Sequence, residues 1–325
     1  MNAKMPDLST QEEVFTKVLN DLHIGLAHIP AVTNYPSRPN KVATQAMLAY
    51  YHLFTRKYDS VAYYANLAWT AAAAKGTDNL IYNFNSLTYA PPGNPLSSSI
   101  VSPDSKINLP SSREILFFRA TDANVGRAQS YPSDEFISLF DATKDLRYKF
   151  YLITNAGYKT TYNGTVYDDG PRVQYYRGAL TNNLPRFQMT SGFTYPELLL
   201  MRAEAYARTN KTAEAMADVN LLRRYRFVTG TPDLVQPATQ DEVIKLVLDE
   251  RRRELPLGHI KRFMDLKRFC LEPDKPWGRT RITHKLGSET FESAIDAPLF
   301  VLPIPNGVLK FNPQWGIPMD ERPFN

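Results

Sequence analysis

The stretch YPELLLMRAEAYARTNKTAEAMADVNLLRRYRF, residues 195–227, decides the fold. Two helix-periodic runs meet at a short polar break, so it reads as an antiparallel helix pair. Small residues stand where two helices must approach: Ala203, Ala215 twelve positions on, and Leu222 seven further, with Tyr206 three after the first. The same spacing recurs in KVATQAMLAYYHLF and SVAYYANLAWTAAAA, which the brief turn TRKYD joins, at Ala49, Val61, Ala68 and His52. This is the tetratricopeptide pattern, in which small side chains let two helices pack closely and a large one fills the gap beside them.

The two pairs lie 154 residues apart, far beyond the roughly 34-residue period of a tandem array, so the interval is an insertion. It holds a Pro/Ser-rich loop, the apolar run REILFFRA, a helix near SDEFISLFDATKDLRYKF, and GYKTTYNGTVYDDGPRVQYYRG, which alternates like a β-hairpin. Loops this long in a compact domain are usually functional or disordered, and the aromatic content here argues for order. Outside it, a first helix runs from Thr10 to Ile29, capped by Ser9 and Thr10 and stopped by Pro30. A further helix, QDEVIKLVLDERRREL, ends at Pro256, and the proline-rich tail reads as an extended segment.

The expected fold is therefore mainly α: tetratricopeptide-like antiparallel helix pairs with long loop insertions and minor β-hairpin content. One domain spans 1–325, with its scaffold at about 9–75 and 194–270, the insertion at about 78–190, and an extended C-terminal segment at about 271–325. At 325 residues, 43% of them apolar, the chain can bury a large core. Its 24 prolines and 19 tyrosines favour helices joined by long loops over a sandwich. No run is long and apolar enough for a membrane helix, and the N-terminus lacks the charged and apolar regions of a signal peptide.

Catalytic signatures are not found: there is no Walker loop, dinucleotide fingerprint, nucleophile elbow or H-E-x-x-H. Cys270 stands alone, and His23 and His28 fall on different helix faces, so neither a metal site nor a cofactor is expected. The arginine runs RRYR (223–226) and RRR (251–253) suggest nucleic acid at first sight. Yet residues 241–268 balance eight Lys/Arg against six Asp/Glu, with Asp249/Arg253 and Lys261/Asp265 at helical spacing. Charge neutralised locally does not bind phosphate, so no nucleic-acid partner is expected.

The loop aromatics remain. Tyr82, Tyr89, Tyr162, Tyr167, Tyr175 and Tyr176, with Asp168, Asp169, Arg172 and Arg177 beside them, are the candidate ligand-binding residues. Sugar C–H faces stack on rings while hydroxyls need polar partners, so this mixture suits an oligosaccharide. Each ring has an equally physical alternative as a core anchor, and the Asp-Gly at 169–170 is first of all a turn signal.

Four segments together resemble the SusD/RagB-like family of Bacteroidetes: residues 9–30 with 38–68, the opening stretch, LDERRRELPLGHIKRFMDLKRF, and FVLPIPNGVLKFNPQWG. Leu257 stands where such sequences commonly carry glutamate before the glycine, which affects a local ion pair. The resemblance implies a non-catalytic, surface-exposed, lipid-anchored outer-membrane protein that binds a glycan and delivers it to a TonB-dependent SusC-like transporter. Family chains are longer at the front, and neither a signal peptide nor a lipidation cysteine is found in this sequence. The alternative is a tetratricopeptide-type protein- or peptide-binding adaptor.

Overall fold

A computed structural model of the chain describes residues 7–86, 112–119, 132–155, 159–168, 172–175, 192–255, 259–286, 289–295 and 304–318. In chain order the elements are α1 (Gln11–His28), α2 (Lys41–Phe54), α3 (Tyr58–Ala73), β1 (Ile115–Phe117), α4 (Asp134–Ile137), α5 (Leu146–Tyr151) and β2 (Leu152–Asn155). There follow β3 (Lys159–Tyr162), β4 (Thr165–Asp168), β5 (Arg172–Tyr175), β6 (Phe193–Thr194), α6 (Tyr195–Arg208), α7 (Thr212–Arg226) and α8 (Gln240–Glu254). The last are α9 (His259–Phe269), β7 (Arg281–Leu286), β8 (Glu289–Ala294) and α10 (Asn306–Lys310). The fold is mainly α, as the sequence implies.

The described chain divides into two compact units, Gly25–Met264 and Met1–Ile24 with Asp265–Asn325. In the first, α2 packs on α3 and α6 on α7, and the two pairs stack through α3 against α6 although 154 residues separate their equivalent positions. All six small-position residues, Ala49, Val61, Ala68, Ala203, Ala215 and Leu222, are fully buried. The repeat extends to the turns. Arg56 and Asn210, one repeat offset apart, are both left-handed, at φ 58° and 64°. The next residue in each pair, Lys57 and Lys211, donates its backbone N–H to the carbonyl of His52 (3.0 Å) or Tyr206 (2.8 Å). At the preceding position, Thr55 and Thr209 turn their hydroxyls back to the carbonyls of Tyr51 and Ala205. Such closure satisfies carbonyls that a helix end leaves open, so one turn geometry fixes both pairs.

Local signals position the remaining helices. Asn40 Oδ1 accepts from Ala43 N–H at the start of α2, and Thr194 Oγ1 from Glu197 N–H at the start of α6. Thr239 and Glu242 close a reciprocal capping box on α8. Ten of the fourteen α6 residues are buried, because α2, α3, α7 and α8 all pack on it.

In the second unit, β7 and β8 form an antiparallel ribbon running from Arg281↔Ala294 to Leu286↔Glu289, within the segment that the sequence marks as extended. Among its described residues Phe269, Trp277, Ile295 and Leu309 are the buried apolar ones, and the Trp277 indole donates to Glu272 Oε2 at 2.7 Å. At the start of α1, Thr10 and Glu13 cap each other, as the sequence suggests for this end.

Candidate functional site

The insertion builds a hairpin in two storeys. Its outer storey pairs β2 with β5, from Leu152↔Tyr175 to Asn155↔Arg172, and its inner storey pairs β3 with β4, from Lys159↔Asp168 to Tyr162↔Thr165. The tip is Asn163-Gly164, both left-handed at φ 48° and 78°, the backbone that a two-residue type I′ turn requires. The alternation in the sequence marks this hairpin.

Register assigns the candidate positions to faces. Because paired residues share a face of the pleat, Thr160, Tyr162, Thr165 and Tyr167 occupy one side of the inner storey, and Lys159, Thr161, Val166 and Asp168 the other. Near the tip Thr161, Asn163, Thr165 and Val166 are exposed. In the outer storey Tyr175 shares its face with Leu152 and Val173, both packed in the apolar cluster of the insertion, and Arg172 holds the opposite face with Ile153. Tyr89, Asp169, Tyr176 and Arg177 lie outside the described residues.

Tyr82 is packed inward. It is 6% exposed and belongs to the apolar cluster with Phe84, Phe136 and Leu152, while the guanidinium of Arg113 lies 4.5 Å from its ring centre. Its main chain is held as firmly: its N–H donates to Glu114 Oε1 at 2.7 Å, and its carbonyl accepts from Arg226 Nη1 at 2.7 Å. The core-anchor alternative is the one that holds for this ring.

Next to the Tyr82 carbonyl and the Phe84 ring lies a buried ionic network that sequence spacing does not foretell. Arg147, at the start of α5, forks onto Asp145 at 2.9 and 2.7 Å and reaches Glu250 at 2.7 Å and Glu254 at 3.0 Å. Arg226, the last residue of α7, binds Glu254 at 2.7 Å and Glu114 at 2.8 Å. Burial opposes the charge on Glu250, but Arg147, Arg253 and Arg223 around it outweigh burial and pull its pKa down to about 2. Glu114 goes the other way: burial pushes its pKa up, Arg226 only partly offsets this, and Glu254 adds to the rise.

The helix-spaced pairs expected from the sequence give way to other partners. Asp249 binds Lys245, and Arg253 binds Glu250 and the Leu139 carbonyl. Lys261 reaches back to Glu197 and the Gly192 carbonyl, leaving Asp265 to Arg268. Among the described residues, no three His, Cys, Asp or Glu side chains gather as a metal ion would need. No helix among them is long and apolar enough to cross a membrane.

Comparison with solved structures supports the architecture. A SusD superfamily protein from Bacteroides vulgatus matches with a TM-score of 0.62 at 20% identity, over 97% of this chain and 66% of the other. A SusD-like protein from Bacteroides fragilis gives 0.55 at 17% identity, over 89% and 66%. A SusD-like carbohydrate binding protein from Bacteroides vulgatus gives 0.53 at 16%, over 90% and 59%. The chain spans 56–66% of the length of these and similar solved structures. A search of curated proteins gave no match. The family model of the SusD family matches residues 126–315, from the insertion through α6 to α9 and into the C-terminal segment, and the chain belongs to that family.

Proposed function

We propose that this chain binds an oligosaccharide at the cell surface and passes it to a TonB-dependent outer-membrane transporter, without catalysing a reaction itself. The observation that carries the reading is the two-storey hairpin. Its register supports the reading: the positions of Tyr162 and Tyr167 fall on one face beside an exposed polar tip, which suits stacking on a pyranose ring. Two similar structures, both from Bacteroides vulgatus, are described as sugar or carbohydrate binding, which supports the same ligand class. The other candidates, Asp168, Asp169, Arg172, Arg177, Tyr89, Tyr175 and Tyr176, belong to the proposal as flanking residues, although the register gives Asp168 a position on the face opposite the two tyrosines. Lipid anchoring at the outer membrane belongs to this proposal and to the full-length protein.

The peptide-adaptor alternative finds less support, because an adaptor groove needs open helix faces and ten of the fourteen residues of the central helix α6 are buried. A glycan array followed by titration calorimetry tests the proposal. A hit whose binding heat disappears in the Tyr162→Ala/Tyr167→Ala double variant, with the melting temperature unchanged, is the expected result. Binding that survives the double variant would remove the hairpin from the site.

A further inference from the structure

The insertion has an apolar core of its own. Phe84, Phe136, Phe140, Leu146, Tyr151 and Leu152 bury one another, and all lie between α3 and α6 in sequence. Hydrophobic contact of this kind holds a unit together without fixing its orientation to anything else.

Polar ties join this unit to the helices, main-chain ones among them: Asp145 bridges to Phe227, and the Val228 N–H donates to the Lys144 carbonyl at 2.9 Å. Arg226 of α7 holds the Tyr82 carbonyl and lies 4.2 Å from the Phe84 ring centre. From α8, Arg252 donates to Glu135 at 2.9 Å, Arg253 to the Leu139 carbonyl at 2.8 Å, and Glu250 and Glu254 receive Arg147. The amide of Asn85 closes the edge, donating to the Phe227 carbonyl at 2.8 Å and accepting from Thr229 N–H at 3.0 Å. The β1 strand, with Glu114 beside it, pairs with β6 and packs on α2, so it belongs to the helical side.

Ionic and apolar contacts respond differently to separation. A buried ion pair gives up in desolvation much of what it gains in attraction, so returning its charges to water costs little net free energy. An apolar core has no such compensation, and proteins open along their weaker seams before they unfold. We propose that the unit formed by residues 82–86 and 132–155 is docked on α7 and α8 by this ionic joint. The joint opens as a whole while the stacked helices stay folded. The inference goes beyond the ligand reading and does not depend on it.

Native-state hydrogen exchange read by mass spectrometry on the intact chain tests the joint. In Glu254→Gln, which halves the charge partners of Arg226, peptides from 134–152 should lose protection at least about tenfold while α6 peptides keep theirs. Leu199→Ala, a cavity inside α6, serves as the control and should lower protection in α6 while leaving 134–152, which exchanges through opening of the joint, unchanged. If Glu254→Gln does not fold, the unmodified chain decides the matter. Raising potassium chloride should then speed exchange in 134–152 selectively, because open charges are the ones that salt screens. Parallel loss in both regions, or no loss in either, would overturn the proposal by showing one cooperative unit.

Discussion

Arg226 stands in the second helix pair where Ala72 stands in the first, one repeat offset earlier, and both are buried. A methyl group needs only space, whereas a buried guanidinium needs every donor answered, and Glu254, Glu114 and the Tyr82 carbonyl answer it. Two carboxylates near Arg226 and Arg147, Glu114 and Glu250, have pKa values shifted in opposite directions and give opposite expectations. Glu250 is held at about 2, so its stabilisation is fully present above the ordinary carboxylate range and is lost as pH falls toward that value. Glu250→Gln should therefore cost about 3–5 kcal/mol at neutral pH, the usual cost of breaking a buried pair, and the deficit should shrink in acid. For Glu114 the folded pKa is raised, so its contribution is greatest below the ordinary carboxylate range and is lost as pH rises through the folded value. Glu114→Gln should match or exceed the parent at neutral pH, since the amide oxygen can still accept from Arg226 and Tyr82. Urea titrations of both variants at neutral and acid pH check the signs.

At the scale of elements, the contact that makes a repeat is Ala203 against α7, with no exposed surface on either Ala203 or Ala215. Ala203→Leu has nowhere to put its added carbons and should destabilise by about 1–3 kcal/mol, read as a lower urea midpoint. Tyr206, at the neighbouring large-residue position, is half-buried, and its hydroxyl donates to Asn66 on α3 at 3.1 Å, so it joins the two repeats. The inner hairpin depends on a different property. Gly164 sits at φ 78° with open space around it, so the cost of a side chain there is conformational and not steric. Gly164→Val should weaken the tip by about 1–2 kcal/mol and speed exchange in 159–168, leaving the helical melting temperature unchanged.

Beyond single elements, the stacking of α3 on α6 spans the insertion. Tyr58 meets Arg208 and Trp69 meets Arg202, so α3 and α6 run antiparallel and the end of α3 lies near the start of α6. A chain that joins the two by a short loop in place of residues 77–193 should still fold, but only with the orphaned charges removed. With Arg226→Ala and Glu254→Ala, which return position 226 to the repeat residue, circular dichroism should show a cooperative helical melt. The same deletion with both charges kept should melt lower, because a buried guanidinium then loses its Tyr82 carbonyl and Glu114 partners.

By itself the sequence determined the helix pairs, their shared spacing, the cap at Thr10, and the hairpin. These follow from periodicities and turn chemistry that act over a few residues. Only the tertiary structure decided that the separated pairs stack, that Tyr82 turns inward, and that Lys261 pairs with Glu197 in place of Asp265. Charge spacing along a helix names the partners available in water. Once a side chain is buried, the strongest partner is whichever group the packing brings within reach, and in this chain it often comes from more than fifty residues away.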